Sequence, residues 1–149
     1  MYKKIFFILS LCTLFGSCVL FTPPYVGTDS GTVAHNGNYS VTLLECNGNR
    51  STQEINIVVM ITNKGVNESL YVGGVSDGTM AIDNYGNTLY PSAAASKYEF
   101  PTGVSVRVAV RPFKLVEPRT SMLRSFRLGL VGASTKAVEF RNVPIRWVN

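Results

Sequence analysis

The chain has 149 residues and a mass of 16.3 kDa, which is enough for one domain. Hydrophobic residues make up 46% of it and charged residues 15%, which excludes an intrinsically disordered chain. Setting aside Lys3 and Lys4, which belong to an N-terminal leader, leaves twelve basic and nine acidic residues, a net charge of +3. Because the arginines from Arg107 to Arg146 are spread over several segments, this charge does not indicate a nucleic-acid partner.

Residues 1–17 have the organisation of a secretory signal peptide. Two lysines precede an apolar run at residues 5–15, and Gly16 and Ser17 then lead to Cys18. Small residues followed by a cysteine resemble the lipobox of bacterial lipoproteins, although Phe15 stands where that family prefers Leu, Val or Ile. The resemblance implies that Cys18 carries the lipid, such as palmitate, and becomes the first residue of the mature protein.

The leader fixes the expected location. By resemblance to the sorting rule of enteric bacteria, Val19 in place of an aspartate favours the outer membrane of a Gram-negative cell envelope. Two alternatives stay open, which are an uncleaved membrane anchor at residues 5–21 and ordinary secretion. We predict a cell-envelope protein that is held at the membrane through the lipid on Cys18.

Residues 18–30 follow as a mixture of Pro, Gly and Thr without a sustained period, which predicts a flexible tether. The folded domain is then expected at residues 31–149. Since Cys12 lies in the signal and Cys18 carries the lipid, Cys46 is left alone and no disulfide framework is available. We expect Cys46 to be a small buried hydrophobic residue, with a reactive thiol as the alternative.

The first half of the domain reads as a series of strands. Asn36-Gly37 predicts a hairpin turn before a strand at residues 39–46, and Asn47-Gly48-Asn49 is expected to close that strand. The next strand, at residues 55–62, is apolar on both faces, which predicts a central strand covered on both sides. Its inward face is expected to hold Ile55, Ile57, Val59 and Ile61, with Val58 and Met60 opposite.

The second half continues the pattern. The small residues at 92–97 are compatible with one helical turn, and residues 104–110 show the clearest alternation, with four valines inward. Two further apolar runs cover residues 122–130 and 138–147. No long amphipathic helical period is present, so we predict an all-β sandwich of about seven to nine short strands.

The order of these segments carries a resemblance over nearly all of the domain. The Tyr39 to Leu43 strand, the strand ending at Thr62-Asn63, the Asp83 to Tyr90 hairpin and the valine-rich strand resemble a telokin-like domain of unknown function. Such immunoglobulin-like domains occur on bacterial lipoproteins and secreted antigens. The resemblance implies an immunoglobulin-like sandwich at the cell envelope without an assigned activity. Asp83 and Gly86 are expected to serve the turn itself, by accepting backbone hydrogen bonds and supplying a positive φ.

The sequence contains no pattern that predicts a catalytic, metal or cofactor site. His35 is the single histidine, and no His or Cys pair has metal-ligand spacing. Asp77 and Asp83 are too sparse for a calcium loop, and Gly73-Gly74 lacks the Lys and Ser or Thr of a phosphate loop. These glycines are expected to form a flexible turn.

Two classes of function remain. The first is a non-enzymatic envelope module that binds a protein or glycan partner, for example through an exposed sheet edge. The second is an enzyme whose residues meet only in three dimensions, with His35 and two carboxylates in one cleft. A surface-fibre subunit is a structural variant of the first. The expected contact surface of the first class comprises the aromatic residues near loops, which are Tyr71, Tyr85, Tyr90, Tyr98 and Phe100. For Tyr90, packing is the commoner role and ligand contact the alternative.

Overall fold

A computed structural model of the protein describes residues 25–27 and 32–148. These residues form an all-β structure of two facing sheets, as the alternating sequence predicts. The expected signal helix at residues 1–17 and the lipid site at Cys18 lie outside the described residues.

Thirteen strands occur in the described part of the chain, more than the seven to nine predicted, because several are only two to four residues long. In chain order they are β1 (Tyr25–Gly27), β2 (Val33–Asn36), β3 (Tyr39–Asn49), β4 (Glu54–Asn63), β5 (Glu68–Val72), β6 (Met80–Asp83), β7 (Thr88–Leu89), β8 (Ser96–Phe100), β9 (Ser105–Ala109), β10 (Phe113–Lys114), β11 (Met122–Val131), β12 (Thr135–Pro144) and β13 (Arg146–Val148).

The first sheet has the strand order β1-β12-β11-β5-β8, with β6 on the same flank of β11 as β5 and β7 beyond β6. The second sheet has the order β10-β4-β3-β13, with β2 also beside β3 and β9 also beside β4. All pairings are antiparallel except those of β1 with β12 and of β13 with β3. Because β1 falls within the predicted tether at residues 18–30, three residues of that segment belong to the sheet instead.

The core lies between the two sheets and uses the predicted inward face of β4. Ile55, Ile57, Val59 and Ile61 are each at most 1% exposed, so that prediction is confirmed. Three phenylalanines extend the core across the sandwich. The ring of Phe126 packs edge-on against Phe113 at 6.1 Å between centroids and stacks on Phe140 at 5.9 Å. Each such fully buried side chain stabilises the fold by about 1.5–3 kcal/mol.

The outer face of β4 differs from the prediction. The strand is central in its sheet, but Val58 and Met60 are only half-buried, so no second layer of the described residues covers them. An ion pair crosses this face instead, with the Arg107 guanidinium on β9 at 2.5 Å from the Glu45 carboxylate on β3. The wide apolar run at residues 55–62 therefore reflects a central position in the sheet and not burial between two layers.

Three local predictions are also corrected. β3 continues through Asn49, so the turn comes at residues 50–53 and not at Asn47-Gly48-Asn49. Val104 precedes β9 and is 50% exposed, whereas Val108 and Val110 are buried as expected. Residues 92–97, whose small side chains are compatible with one helical turn, form none, because Ser96 and Lys97 begin β8. A short 3-10 turn occurs at Val75–Asp77, immediately after the two glycines that were expected to form a flexible turn.

Candidate binding surface

Three of the five predicted contact aromatics are at the surface. Tyr71 and Tyr85 are each 51% exposed and Tyr90 is 58% exposed. Phe100 is fully buried, so its assignment to a contact surface is wrong. It occupies the core because Ser96, Tyr98 and Phe100 alternate toward the sandwich interior along β8, while Lys97 and Glu99 point outward. Tyr98 is half-buried and packs against the core beside Phe100, with 6.3 Å between ring centroids.

The three exposed tyrosines do not form one patch. Tyr71 is paired with Val131 on β11. Tyr90 follows Leu89, which is paired with Ala81, so Tyr90 comes beside Met80, and Met80 is paired with Arg127 on β11. Four residues along one strand correspond to about 13 Å. Tyr85 lies further along, in the turn between β6 and β7. Tyr71 is therefore the only one of these tyrosines on the outer face formed by β5 and β8, where it stands opposite Lys97.

An open groove of about 430 Å³ lies beside this outer face. Its polar wall is held by an internal bond, because the Ser69 hydroxyl donates to the Glu99 carboxylate, whose two oxygens lie 2.6 and 2.7 Å from it. The Lys97 ammonium is 3.8 Å from the same carboxylate. The groove is lined by Asn67, Glu68, Ser69, Glu99, Phe100 and Pro101.

Glu68 connects the groove to the core. Its carboxylate accepts a hydrogen bond from the hydroxyl of Tyr39, a residue that is 1% exposed. Burial and this hydrogen bond raise the pKa of Tyr39 well above its ordinary value, so the hydroxyl stays protonated and remains a donor. The Lys136 ammonium lies 4.8 Å from the centre of the Tyr39 ring, a favourable cation–π distance. The sequence has no local pattern that predicts the cluster of Tyr39, Glu68 and Lys136, because these residues come from β3, β5 and β12.

The strand that borders the groove is at an edge of the first sheet. Within the described residues, β8 pairs with β5 on one side and with no strand on the other. The start of β8 is covered by Arg111, whose guanidinium donates to the Ser96 hydroxyl at 2.8 Å. Toward the second sheet, the Tyr98 hydroxyl is 3.5 Å from the Ala109 carbonyl oxygen. Among the described residues, no strand pairs with the middle of β8 on that side.

Asp83 has the structural role that its turn predicts. It is fully buried, and one carboxylate oxygen accepts the backbone N–H groups of Tyr85 at 2.9 Å and Asn87 at 2.8 Å. The other oxygen accepts the Asn87 side-chain amide at 2.8 Å and the Thr120 hydroxyl at 3.3 Å. Burial by itself would raise the pKa of Asp83, but these hydrogen bonds outweigh it and hold the pKa below the usual range. Gly86 takes the expected positive φ, at 88°.

Asp77 is a second buried carboxylate, in the connection between β5 and β6. It is 5% exposed and accepts backbone N–H groups from Thr79 at 2.8 Å and Gly74 at 3.2 Å. Burial outweighs these bonds and raises the pKa of Asp77. The connection packs directly on β11, where a Cβ atom at Gly129 would lie 1.9 Å from the Asp77 carbonyl oxygen. Asp77 is therefore committed to holding this connection in place.

The remaining reactive side chains are dispersed. His35 is exposed on β2 in the second sheet, away from the groove carboxylates of the first sheet. Cys46 is 8% exposed with a free thiol, and burial raises its pKa to about 12, so the prediction of a small buried hydrophobic residue is confirmed. Across residues 32–148, no three His, Cys, Asp or Glu side chains are grouped closely enough to hold a metal ion.

Comparison with known proteins returned no match to any protein-family model, curated protein or solved structure. In the part of the chain that the structure describes, no helix has both the length and the apolar character needed to cross a membrane.

Proposed function

We propose that this protein is a cell-envelope lipoprotein whose immunoglobulin-like sandwich serves as a non-enzymatic binding or structural module. The lipid on Cys18 holds it at the membrane, by preference the outer membrane of a Gram-negative cell. Its partner is a protein or a glycan that contacts the outer face of β5 and β8.

The order of the strands supports an immunoglobulin-like topology. In immunoglobulin sandwiches, strands A, B and E are neighbours in one sheet, and strands C, F and G are neighbours in the other. Counting the long strands in chain order, β3, β4 and β9 take the positions of A, B and E in the second sheet. In the first sheet, β5, β11 and β12 take the positions of C, F and G, and β8 lies beside β5 as an additional strand does in variable domains.

One observation favours binding over catalysis, namely the composition of the groove. An enzyme of the kind considered from the sequence would gather His35 and two carboxylates in one cleft. The groove has two carboxylates, Glu68 and Glu99, but His35 lies on the other sheet. Glu68 already accepts the Tyr39 hydroxyl and Glu99 accepts the Ser69 hydroxyl. A half-exposed tyrosine beside an open polar groove is suited to surface contact, because its ring offers apolar area and its hydroxyl a hydrogen bond.

The lipid anchor is tested by labelling cells that express the full chain with radioactive palmitate. We expect label on the wild type and on Cys12→Ala, which alters a cysteine inside the signal, and no label on Cys18→Ala. The Cys18→Ala protein should also move from the membrane fraction to the soluble fraction. Undiminished labelling of Cys18→Ala would refute the lipid assignment.

The contact surface is tested by chemical cross-linking in intact envelopes followed by capture of the tagged full chain. Tyr71→Ala should reduce the yield of cross-linked partner, whereas Tyr90→Ala, at a tyrosine of similar exposure on another part of the sheet, should not. Both changes remove exposed area, so neither should unfold the domain. Equal yields from both variants would place the contact elsewhere.

A further inference from the structure

We propose that β8 is the strand through which two copies of this chain associate, with β8 of one copy adding antiparallel to β8 of the other. The pairing would join two first sheets into one continuous sheet across a two-fold axis. This inference goes beyond the proposed function and does not depend on the lipid at Cys18.

The edge itself is the starting point. In an antiparallel ladder, alternate residues of an edge strand turn their N–H and C=O groups away from the sheet, where they are free to pair with another strand. β8 is five residues long and pairs with β5 in an unbroken register, from Glu68 opposite Phe100 to Val72 opposite Ser96. It therefore presents an edge without a bulge, with a register that a second strand can follow.

The charges on β8 select its own copy as the partner. When two such strands pair antiparallel with the two-fold axis at Tyr98, Lys97 stands directly opposite Glu99 of the second copy, and Glu99 opposite Lys97. Both side chains point outward and are accessible, with 55% of the Lys97 side chain and 71% of the Glu99 side chain exposed. Directly opposed residues of opposite charge stabilise antiparallel pairs. The same pairing covers the half-buried Tyr98, which would face Tyr98 of the second copy.

The other edge strand of comparable length shows the opposite property. β9 pairs with β4 alone among the described strands and is also five residues long. Antiparallel self-pairing of β9 about its central residue would place Arg107 directly opposite Arg107 of the second copy. Like charges in that position are destabilising. The two edges therefore differ in a way that permits self-association at β8 and opposes it at β9.

The contact is small, so the association is expected to be weak. A single strand pair buries less than the roughly 1,200 Å² at the lower end of stable interfaces. Attachment of both copies to one membrane surface would raise their local concentration and favour pairing. Charge reversal at one residue converts both Lys–Glu pairs of the dimer into like-charge pairs, so we expect it to weaken association at least about tenfold.

The experiment uses full-length chains that carry two different affinity tags, expressed together and photo-cross-linked in intact envelopes before extraction in detergent, so that a weak pairing is fixed at its concentration in the membrane. Capture through one tag, with detection of the other, measures association. Wild type should capture wild type, and the double variant that exchanges Lys97 and Glu99 should do the same. Lys97→Glu should capture itself at least about tenfold less, and so should Glu99→Lys. Mixing Lys97→Glu with Glu99→Lys should restore capture, because the two chains again place opposite charges together.

Arg124→Glu, at an exposed site on β11, is the control and should capture normally. Repeating the series with Cys18→Ala separates strand pairing from two lipidated chains that share one micelle. Absence of wild-type capture would overturn the proposal. The same amount of capture from wild type, Lys97→Glu and Glu99→Lys would also overturn it. So would a mixture of Lys97→Glu with Glu99→Lys that does not recover the wild-type amount of capture.

Discussion

Replacing Asp83 tests whether the buried turn carboxylate is a major source of stability. Asp83→Ala removes the acceptor for two backbone N–H groups, one side-chain amide and one hydroxyl, all within 3.3 Å. Hydrogen bonds to a charged group contribute about 1.5–3 kcal/mol each, and losses within one network are not additive. We therefore expect the free energy of unfolding to fall by about 3–4 kcal/mol.

Asp83→Asn separates the loss of stability caused by the two backbone hydrogen bonds from that caused by the two side-chain hydrogen bonds. Its remaining carbonyl oxygen can still accept the backbone N–H groups of Tyr85 and Asn87, but its new amide faces the Asn87 amide and the Thr120 hydroxyl. We expect a loss of about 2 kcal/mol, roughly half of that for alanine. Urea denaturation followed by tyrosine and tryptophan fluorescence measures both values, provided that the slope with denaturant is unchanged.

The pH dependence gives an independent check. Because the pKa of Asp83 is lowered by folding, its stabilisation is present above the unfolded carboxyl pKa of about 3.9 and is lost as the pH falls through the folded value. Asp83→Asn should therefore lose less stability on acidification than the wild type. Asp77 provides the matched control of opposite sign, because folding raises its pKa. Its contribution is present at low pH and lost as the pH rises, so Asp77→Asn should gain stability relative to the wild type toward neutral pH.

Loss of less than about 1 kcal/mol in Asp83→Ala would refute the assigned role of this carboxylate. Parallel pH profiles for the wild type and both asparagine variants would show that neither carboxylate is perturbed by folding.

Two further predictions concern buried positions. The Cys46 thiol should not react with an aromatic disulfide that releases a coloured thiolate while the protein is native, and it should react fully in denaturant. The reason is that burial shields the thiol and raises its pKa to about 12. Rapid labelling of the native protein would contradict its burial. Gly129→Ala should cost about 3 kcal/mol, since its Cβ would overlap the Asp77 carbonyl oxygen at 1.9 Å, whereas Arg124→Ala on the same strand should change stability by less than about 0.5 kcal/mol. Thermal melts of the two variants measure the difference, and equal melting temperatures would contradict the packing of the Asp77 connection on β11.

The sequence alone determined the features that depend on neighbours along the chain. Alternation placed Ile55 to Ile61 and Val106 to Val110 on inward faces, and the Asp83 to Gly86 turn followed from residues that bond to their own backbone. The burial of Cys46 followed from the usual behaviour of a free cysteine at the end of a strand, which is to pack as a small hydrophobic residue. These outcomes needed no knowledge of which strands are neighbours.

Tertiary structure decided whatever depends on contacts between distant segments. Phe100 looked like a loop aromatic, but the pairing of β8 with β5 turned it into the core and left Lys97 and Glu99 outside. The Tyr39–Glu68 bond and the packing of Asp77 on Gly129 join residues 29 and 52 positions apart, which leave no signal in local periodicity. A period of two residues identifies the two faces of a strand, whereas the neighbouring strands and the opposing sheet determine which face is buried and which edge stays open.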